Sequence, residues 1–311
     1  MKSRVRPESG KSTGIKRRSF IKAGTAAACA AIAPAGAAED KAEATIVVVH
    51  GKDIAKMVDV GMAKMGGWGK FIKPGTKVAI KPNLAWNSTP EQGGNTHPDI
   101  LRAVILAAQK CKAKQILIPE NTCQPEKKTF AASGALKAVS GTDAKLFRPK
   151  SADYKSVKVS KGKICTEAKV ERDLMEADCL INMPVAKHHS GATLTLSMKN
   201  WMGAVDNGTR RAWHRNGLHQ CIADLSTFLK PHLVVIDATR ILLDNGPQGP
   251  GKLAHPNEII FATDPVAADT YAASLFGKTP KDVPHIKIAS EMGVGCCDIK
   301  KIKVERIEVE A

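Results

Sequence analysis

The chain has 311 residues, 47 Lys and Arg against 30 Asp and Glu (formal net charge +17), and 43% hydrophobic residues. That is enough apolar chain for one large α/β domain or two smaller ones without disulfides to hold them. The basic residues are scattered and only 4% of the chain is aromatic, so the aromatic interleaving of a nucleic-acid groove is missing and no nucleic-acid partner is expected.

At the N-terminus, Lys16-Arg17-Arg18-Ser19-Phe20-Ile21-Lys22 precedes an alanine-rich run from Ala23 to Ala38 and a small-residue Ala35-Gly36-Ala37 site. A twin arginine, a weakly apolar stretch and such a site resemble a twin-arginine export signal over residues 1–37. The expectation is recognition by the twin-arginine export machinery and a periplasmic mature protein. The stretch is mostly Ala and Gly and falls short of the ~20 apolar residues of a spanning helix, so no stable membrane insertion is expected after cleavage. Cys29 follows "AAA", which lacks the large aliphatic residue of a lipoprotein signal. Gly10-Lys11-Ser12 imitates the end of a phosphate-binding loop, but Val5 stands where its first glycine belongs.

Beyond the leader, residues 45–309 alternate short β-branched runs with helical periodicity. Strands are predicted at Thr45–His50, Lys77–Asn83, Gln115–Asn121, Asp178–Pro184, His232–Ala238, Glu258–Asp264 and the closing "IKVERIEV". Helices are predicted at Asp53–Met65, at Pro98–Lys112 after a Thr96 or His97 cap, and at Thr193–Ala204, Leu218–Leu229 and Pro265–Phe276. Nearly uninterrupted apolar strands between helices argue for an α/β fold with mainly parallel sheets covered by helices on both faces. The polar, lysine-rich span Ser140–Lys163 reads as a hairpin or a boundary, which leaves room for two lobes divided within residues 140–177.

Ligands of parallel α/β sheets bind outside the carboxyl ends of the strands. Lys81 and Asn83 end one predicted strand, Glu120 and Asn121 another, Asn182 to His189 a third, Asp237 a fourth and Asp264 a fifth. The densest stretch is "NMPVAKHHSGATLTLSMKNWMG", where Ser190-Gly191 makes a turn and Thr193 would cap a helix carrying Lys199 and Asn200. A lysine in the first turn of a helix sits at the positive end of its dipole, so Lys199 is expected to meet an anion or a covalent partner. His97, His188, His189, His214 and His219 suit proton transfer or metal ligation, although none shows H-E-x-x-H spacing.

"VAIKPNL", "THPDILRAVI", "ILIPEN", "INMPVAKHHSGATLTLSMKNWMG", "VVIDA", "NGPQGPG" and "ATDPVAADTYAASLFG" occur in the order that resembles the family of domain of unknown function 362, over about Thr45 to Val309. Some members of that family carry ferredoxin-type cysteines; this chain has no C-x-x-C, so the resemblance implies no iron–sulfur cluster here. Thr96-His97, the ten-residue spacing from His189 to Lys199, and the later His214 are also similar to the motif of nickel-pincer lactate racemases. That likeness implies catalytic roles for His97 and His189, a tethering role for Lys199 and metal ligation by His214, with His188 beside it. In this chain "LTLSMK" replaces the glycine-rich segment before the tethering lysine.

Two classes of function are compatible with these residues. In the first, an exported enzyme has His97, His189 and Lys199 as catalytic groups. Lys81, Asn83, Asn182, Lys187, Asn200 and Asp237 bind a small anionic substrate, a metal ion or metal-containing cofactor is held by His188 and His214, and Asp224, Asp237 or Asp264 orients an imidazole. In the second, the same residues bind a metal, cofactor or anionic solute without chemistry. The absence of G-x-S-x-G and of G-x-G-x-x-G disfavours a serine hydrolase and a nucleotide-dependent dehydrogenase. The vicinal Cys296-Cys297 is a candidate redox or metal pair.

Overall fold

The structure, a computed structural model, describes residues 44–310, which belong to one compact unit. The expected export signal and Cys29 lie outside the described residues. In chain order the strands are β1 (Ala44–Gly51), β2 (Lys77–Pro82), β3 (Gln115–Pro119), β4 (Lys145–Phe147), β5 (Tyr154–Lys158), β6 (Glu167–Glu171) and β7 (Cys179–Met183). They continue with β8 (Val185–His189), β9 (Thr193–Thr195), β10 (Leu233–Leu242), β11 (Leu253–Ala254), β12 (Glu258–Ala262) and β13 (Ile302–Val309). The main sheet runs β13-β1-β12-β10-β7-β2-β3-β4, and only β12 in that row is antiparallel to its neighbours.

Both faces are covered. Ile46 and Val48 of β1 and Val234 and Ile236 of β10 join a core beneath the helices Leu218–Phe228, Pro265–Ser274 and Pro284–Glu291. Val47, Val49, Leu233 and Val235 point the other way, into a core with the helices Ile54–Lys64 and Pro98–Lys110. Side chains alternate across a strand, so a run such as "TIVVVH" is apolar at every position because both of its faces are buried. Among the described residues no helix is long and apolar enough to cross a membrane.

One predicted helix is not formed. The helix expected over Thr193–Ala204 is instead strand β9, a single turn at Ser197–Asn200 and a 3-10 turn at Trp201–Gly203. Thr193 has φ +65° and opens a hairpin rather than capping a helix. The alternation Thr-Leu-Thr-Leu is a strand pattern, and it pairs Thr195 with Lys187. His188 and His189 accordingly end a strand, β8, which continues β7 past Pro184. The span 140–177 contributes β4 and an antiparallel β5–β6 hairpin, and the helices Glu126–Ala132, Ala135–Val139, Asn207–Asn216 and Pro284–Glu291 carry no expectation from the sequence.

Candidate ligand-binding site

The carboxyl ends of β2 and β3 and the β8–β9 hairpin open onto a cavity of about 280 Å³. Of the residues singled out from the sequence, Asn83, Glu120, Asn121, Lys187, His189, Lys199, Asn200 and His214 line it. Cys123, Thr195, Arg210 and Pro247 complete much of the wall.

A relay of amides fixes the floor. Lys187 Nζ donates to Asn83 Oδ1 at 3.0 Å and to the carbonyl of Gly94. Asn83 Nδ2 donates to Asn200 Oδ1 at 2.9 Å, Asn200 Nδ2 to Asn182 Oδ1 at 2.8 Å, and Asn182 Nδ2 to the Ser197 carbonyl at 2.8 Å. Asn200 Nδ2 also reaches the Lys81 carbonyl at 3.0 Å, so one side chain ties β2, β7 and the Ser197–Asn200 turn together. All four side chains are buried, where an unmade hydrogen bond would cost more than in water. Below the relay Lys81, fully buried, pairs with Glu120 at 2.8 Å, and Glu120 Oε2 also accepts the Leu84 N–H. Burial lowers the Lys81 pKa although Glu120 opposes the shift. Lys81 therefore acts as an internal tie with its own counter-ion. Gly203 is required at this point, because a Cβ there would meet Lys81 Nζ at 2.6 Å and also Glu120.

The wall is cationic. Burial pushes Lys187 down to about 7, with the positive charge of Lys199 adding to it. Lys199, 7% exposed, is also pushed down to about 7 by burial, with Arg210 adding to it. Their repulsion is mutual, but Lys187 has two acceptors while Lys199 has no hydrogen bond or ion pair among the described residues. Lys199 is therefore the amine without a fixed acceptor among the described residues. Its turn is fastened by Asp269, fully buried, which accepts the Ser197 and Met198 N–H groups at 2.7 and 3.0 Å. With only four residues in the turn, the helix-dipole expectation for Lys199 lapses, and Asp269 and desolvation replace it. Arg210 is pinned by the carbonyls of Met202 and Asn121 and by Cys123 Sγ. The one acid on the cavity wall, among the described residues, is Glu120, already paired.

The histidines divide by tautomer and place. His189 Nδ1 accepts the N–H groups of Gly191 and Ala192, each at 3.0 Å. The ring proton must then sit on Nε2, which has no hydrogen-bond partner among the described residues, on a ring that lines the cavity. Burial, with Lys199 nearby, pushes the imidazole down to about 2, and a second proton would have to displace two backbone donors. His189 is thus a fixed neutral donor, neither a base nor, without losing that proton, a metal ligand. His214, exposed on the helix Asn207–Asn216, lines the rim with no hydrogen-bond partner among the described residues and is free to accept a proton.

Other expected residues stand apart. His97 caps the helix Pro98–Lys110 and lines a separate open hollow with Glu91 and Arg102. Asp237, fully buried, accepts the His97 backbone N–H at 2.8 Å and pairs with Arg240. Burial works against its charge, but Arg240 and Thr239 hold its pKa below the usual carboxylate range. His188 Nδ1 accepts the Gly246 N–H and does not line the cavity. Asp224 accepts from Ile164, Cys165 and Gln220, and Asp264 caps Val266 and Ala267, so neither orients an imidazole. Among the described residues no three His, Cys, Asp or Glu side chains stand together as metal ligands, and His188 and His214 do not converge. The residues present therefore do not fit the nickel-pincer group, since one expected base holds its proton on Nε2 and the other lies outside the cavity. All seven cysteines of the described residues are free, Cys296 and Cys297 included.

A profile of the family described as "Domain of unknown function (DUF362)" matches residues 78–274. The chain belongs to this DUF362 family. The DUF362 match contains every residue that lines the cavity, from Asn83 to Pro247, together with Asp269. The chain is 24% identical over 245 residues to "Thylakoid-associated protein sll1697" of Synechocystis sp., covering 74% of this chain and 72% of that protein. Among solved structures it is similar to the lactate racemase apoprotein from Thermoanaerobacterium thermosaccharolyticum, with TM-score 0.49 and 11% identity over 74% of this chain. This DUF362 chain spans 56% of the length of that racemase chain.

Nothing in the sequence marks Arg210. Asp269 reads as an acid in the first turn of a helix capped by Asp264, a stability feature, and in the structure it instead accepts the Ser197 and Met198 N–H groups. Cys123 reads as a small core residue but is exposed and lines the cavity.

Proposed function

We propose that the protein is exported by the twin-arginine route to the periplasm and binds a small organic anion in the Lys187–Lys199 cavity. The observation that carries this reading is Lys199: a buried amine with no hydrogen-bond or ion-pair partner among the described residues, facing a cavity that also holds Lys187 and Arg210. A bound carboxylate would supply the missing counter-charge and accept from the third proton of Lys187, from His189 Nε2–H and from the Thr195 hydroxyl, which is buried without a partner. A cavity of about 280 Å³ favours a ligand of a few heavy atoms. The leader with Arg17-Arg18 supports the export half of the proposal.

The test is thermal unfolding with propionate and with propionamide, which matches its size without the charge. The proposal expects a rise in Tm with propionate that grows with its concentration, and none with propionamide. Equal shifts, or none, would contradict it. His214 favours a catalytic version in which it takes a proton from the methyl carbon next to the ketone of a 2-oxo acid; exchange of the methyl protons of bound pyruvate with deuterated water, lost in His214→Ala, is the corresponding readout.

A further inference from the structure

Lys187 and Lys199 face the same cavity but are held differently. Lys187 points two of its protons at fixed acceptors, the Asn83 side chain and the Gly94 carbonyl, and so is a fixed donor that, when protonated, has one N–H to spare. Lys199 has no such acceptors, sits on a turn anchored through its backbone by Asp269, and lies between cationic neighbours. A buried lysine beside other cations is the arrangement that leaves a free amine as a nucleophile. Around it stand hydrogen-bond donors suited to an oxygen that gains charge: the Nε2–H of His189 and the unpartnered Thr195 hydroxyl. His214 at the rim is the group free to exchange protons with water.

We infer that Lys199 is an imine-forming lysine and that the anion of this site is a small 2-oxo acid, its carboxylate held by Lys187 and its carbonyl carbon presented to Lys199 Nζ. The inference rests on the anion-binding reading above. The Nζ lone pair adds to the carbonyl carbon, and the carbonyl π pair moves to oxygen, which His189 and Thr195 stabilise by donation. The nitrogen loses its two protons in turn, the oxygen gains two, and it departs as water while the nitrogen lone pair closes the C=N bond. The balance is one amine and one ketone giving one imine and one water, with no oxidant or reductant. His214 can carry the protons between nitrogen, oxygen and solvent. An imine carbon next to a carboxylate acidifies its neighbouring C–H bonds, so the same group is placed to exchange a proton there.

The experiment treats the purified full chain with pyruvate and cyanoborohydride at pH 7 and maps the labelled peptides by mass. The expected result is one label, the mass of pyruvic acid less one oxygen, on Lys199, at roughly tenfold or more over any exposed lysine, because an ordinary lysine is almost wholly protonated at that pH. Excess propionate should suppress it. Mapping uses the unaltered protein, so no variant has to fold. Propionate binding with pyruvate trapped nowhere, or spread over surface lysines, would overturn the imine while leaving anion binding intact. Binding of neither propionate nor pyruvate would overturn both.

Discussion

Asn200→Ala should be the most damaging conservative change in the floor of the cavity. Asn200 accepts from Asn83 Nδ2 and donates to Asn182 Oδ1 and the Lys81 carbonyl, all buried. Truncation leaves two buried side-chain groups, Asn83 Nδ2 and Asn182 Oδ1, without their partner. Each orphaned group costs about 1–3 kcal/mol, so the variant should lose roughly 4 kcal/mol in urea unfolding, less only if water enters the space. Because the relay is a chain, the double variant Asn182→Ala/Asn200→Ala should lose clearly less than the sum of the singles. Propionate binding should weaken as well, since Asn83 would no longer be held against Lys187. A loss below about 1 kcal/mol for Asn200→Ala, or strict additivity in the double variant, would refute the relay as a buried unit.

Other consequences are measurable. Gly203→Ala would press a methyl into the Lys81–Glu120 pair and should cost about 1–3 kcal/mol, read by urea unfolding, with propionate binding reduced in parallel. Lys187 and Lys199 hold pKa values of about 7 when folded, below the ordinary value, so between pH 7 and about 10 the unfolded chain binds more protons and stability should rise with pH. Lys187→Met/Lys199→Met should flatten that rise. Asp269 works the other way: burial raises it to about 7, so the folded chain binds more protons between about pH 4 and 7 and stability should fall across that window, a slope that Asp269→Asn removes. Replacing Arg17-Arg18 by Lys-Lys should leave the chain in the cytoplasm on cell fractionation; unchanged periplasmic recovery would contradict twin-arginine export.

Much of the fold was legible because burial on two faces makes strands such as "TIVVVH" and "HLVVIDA" apolar at nearly every position. The end of the sheet that carries the polar groups followed from the same pattern, since Lys81, Asn83, Glu120 and Asn182 all stand at carboxyl ends. What local spacing could not show was which polar groups satisfy one another. Asn182 and Asn200 read alike as ligand residues, but they are bonded to each other, and Lys81 is matched by Glu120 from another strand. The tautomer of His189 depends on two backbone N–H groups in a turn whose geometry no side-chain pattern reports. His97 follows the motif order yet lies over a different hollow, because its backbone N–H is drawn to Asp237.

The central claim, a cationic cavity waiting for an anion, is tested most directly by calorimetric titration of propionate at pH 8 in two buffers with different heats of ionisation. An anion stabilises the protonated lysines, so the account predicts a single site, net proton uptake on binding, and loss of both in Lys199→Met. Absence of binding to the unaltered chain, or binding without proton uptake that Lys199→Met leaves untouched, would contradict it.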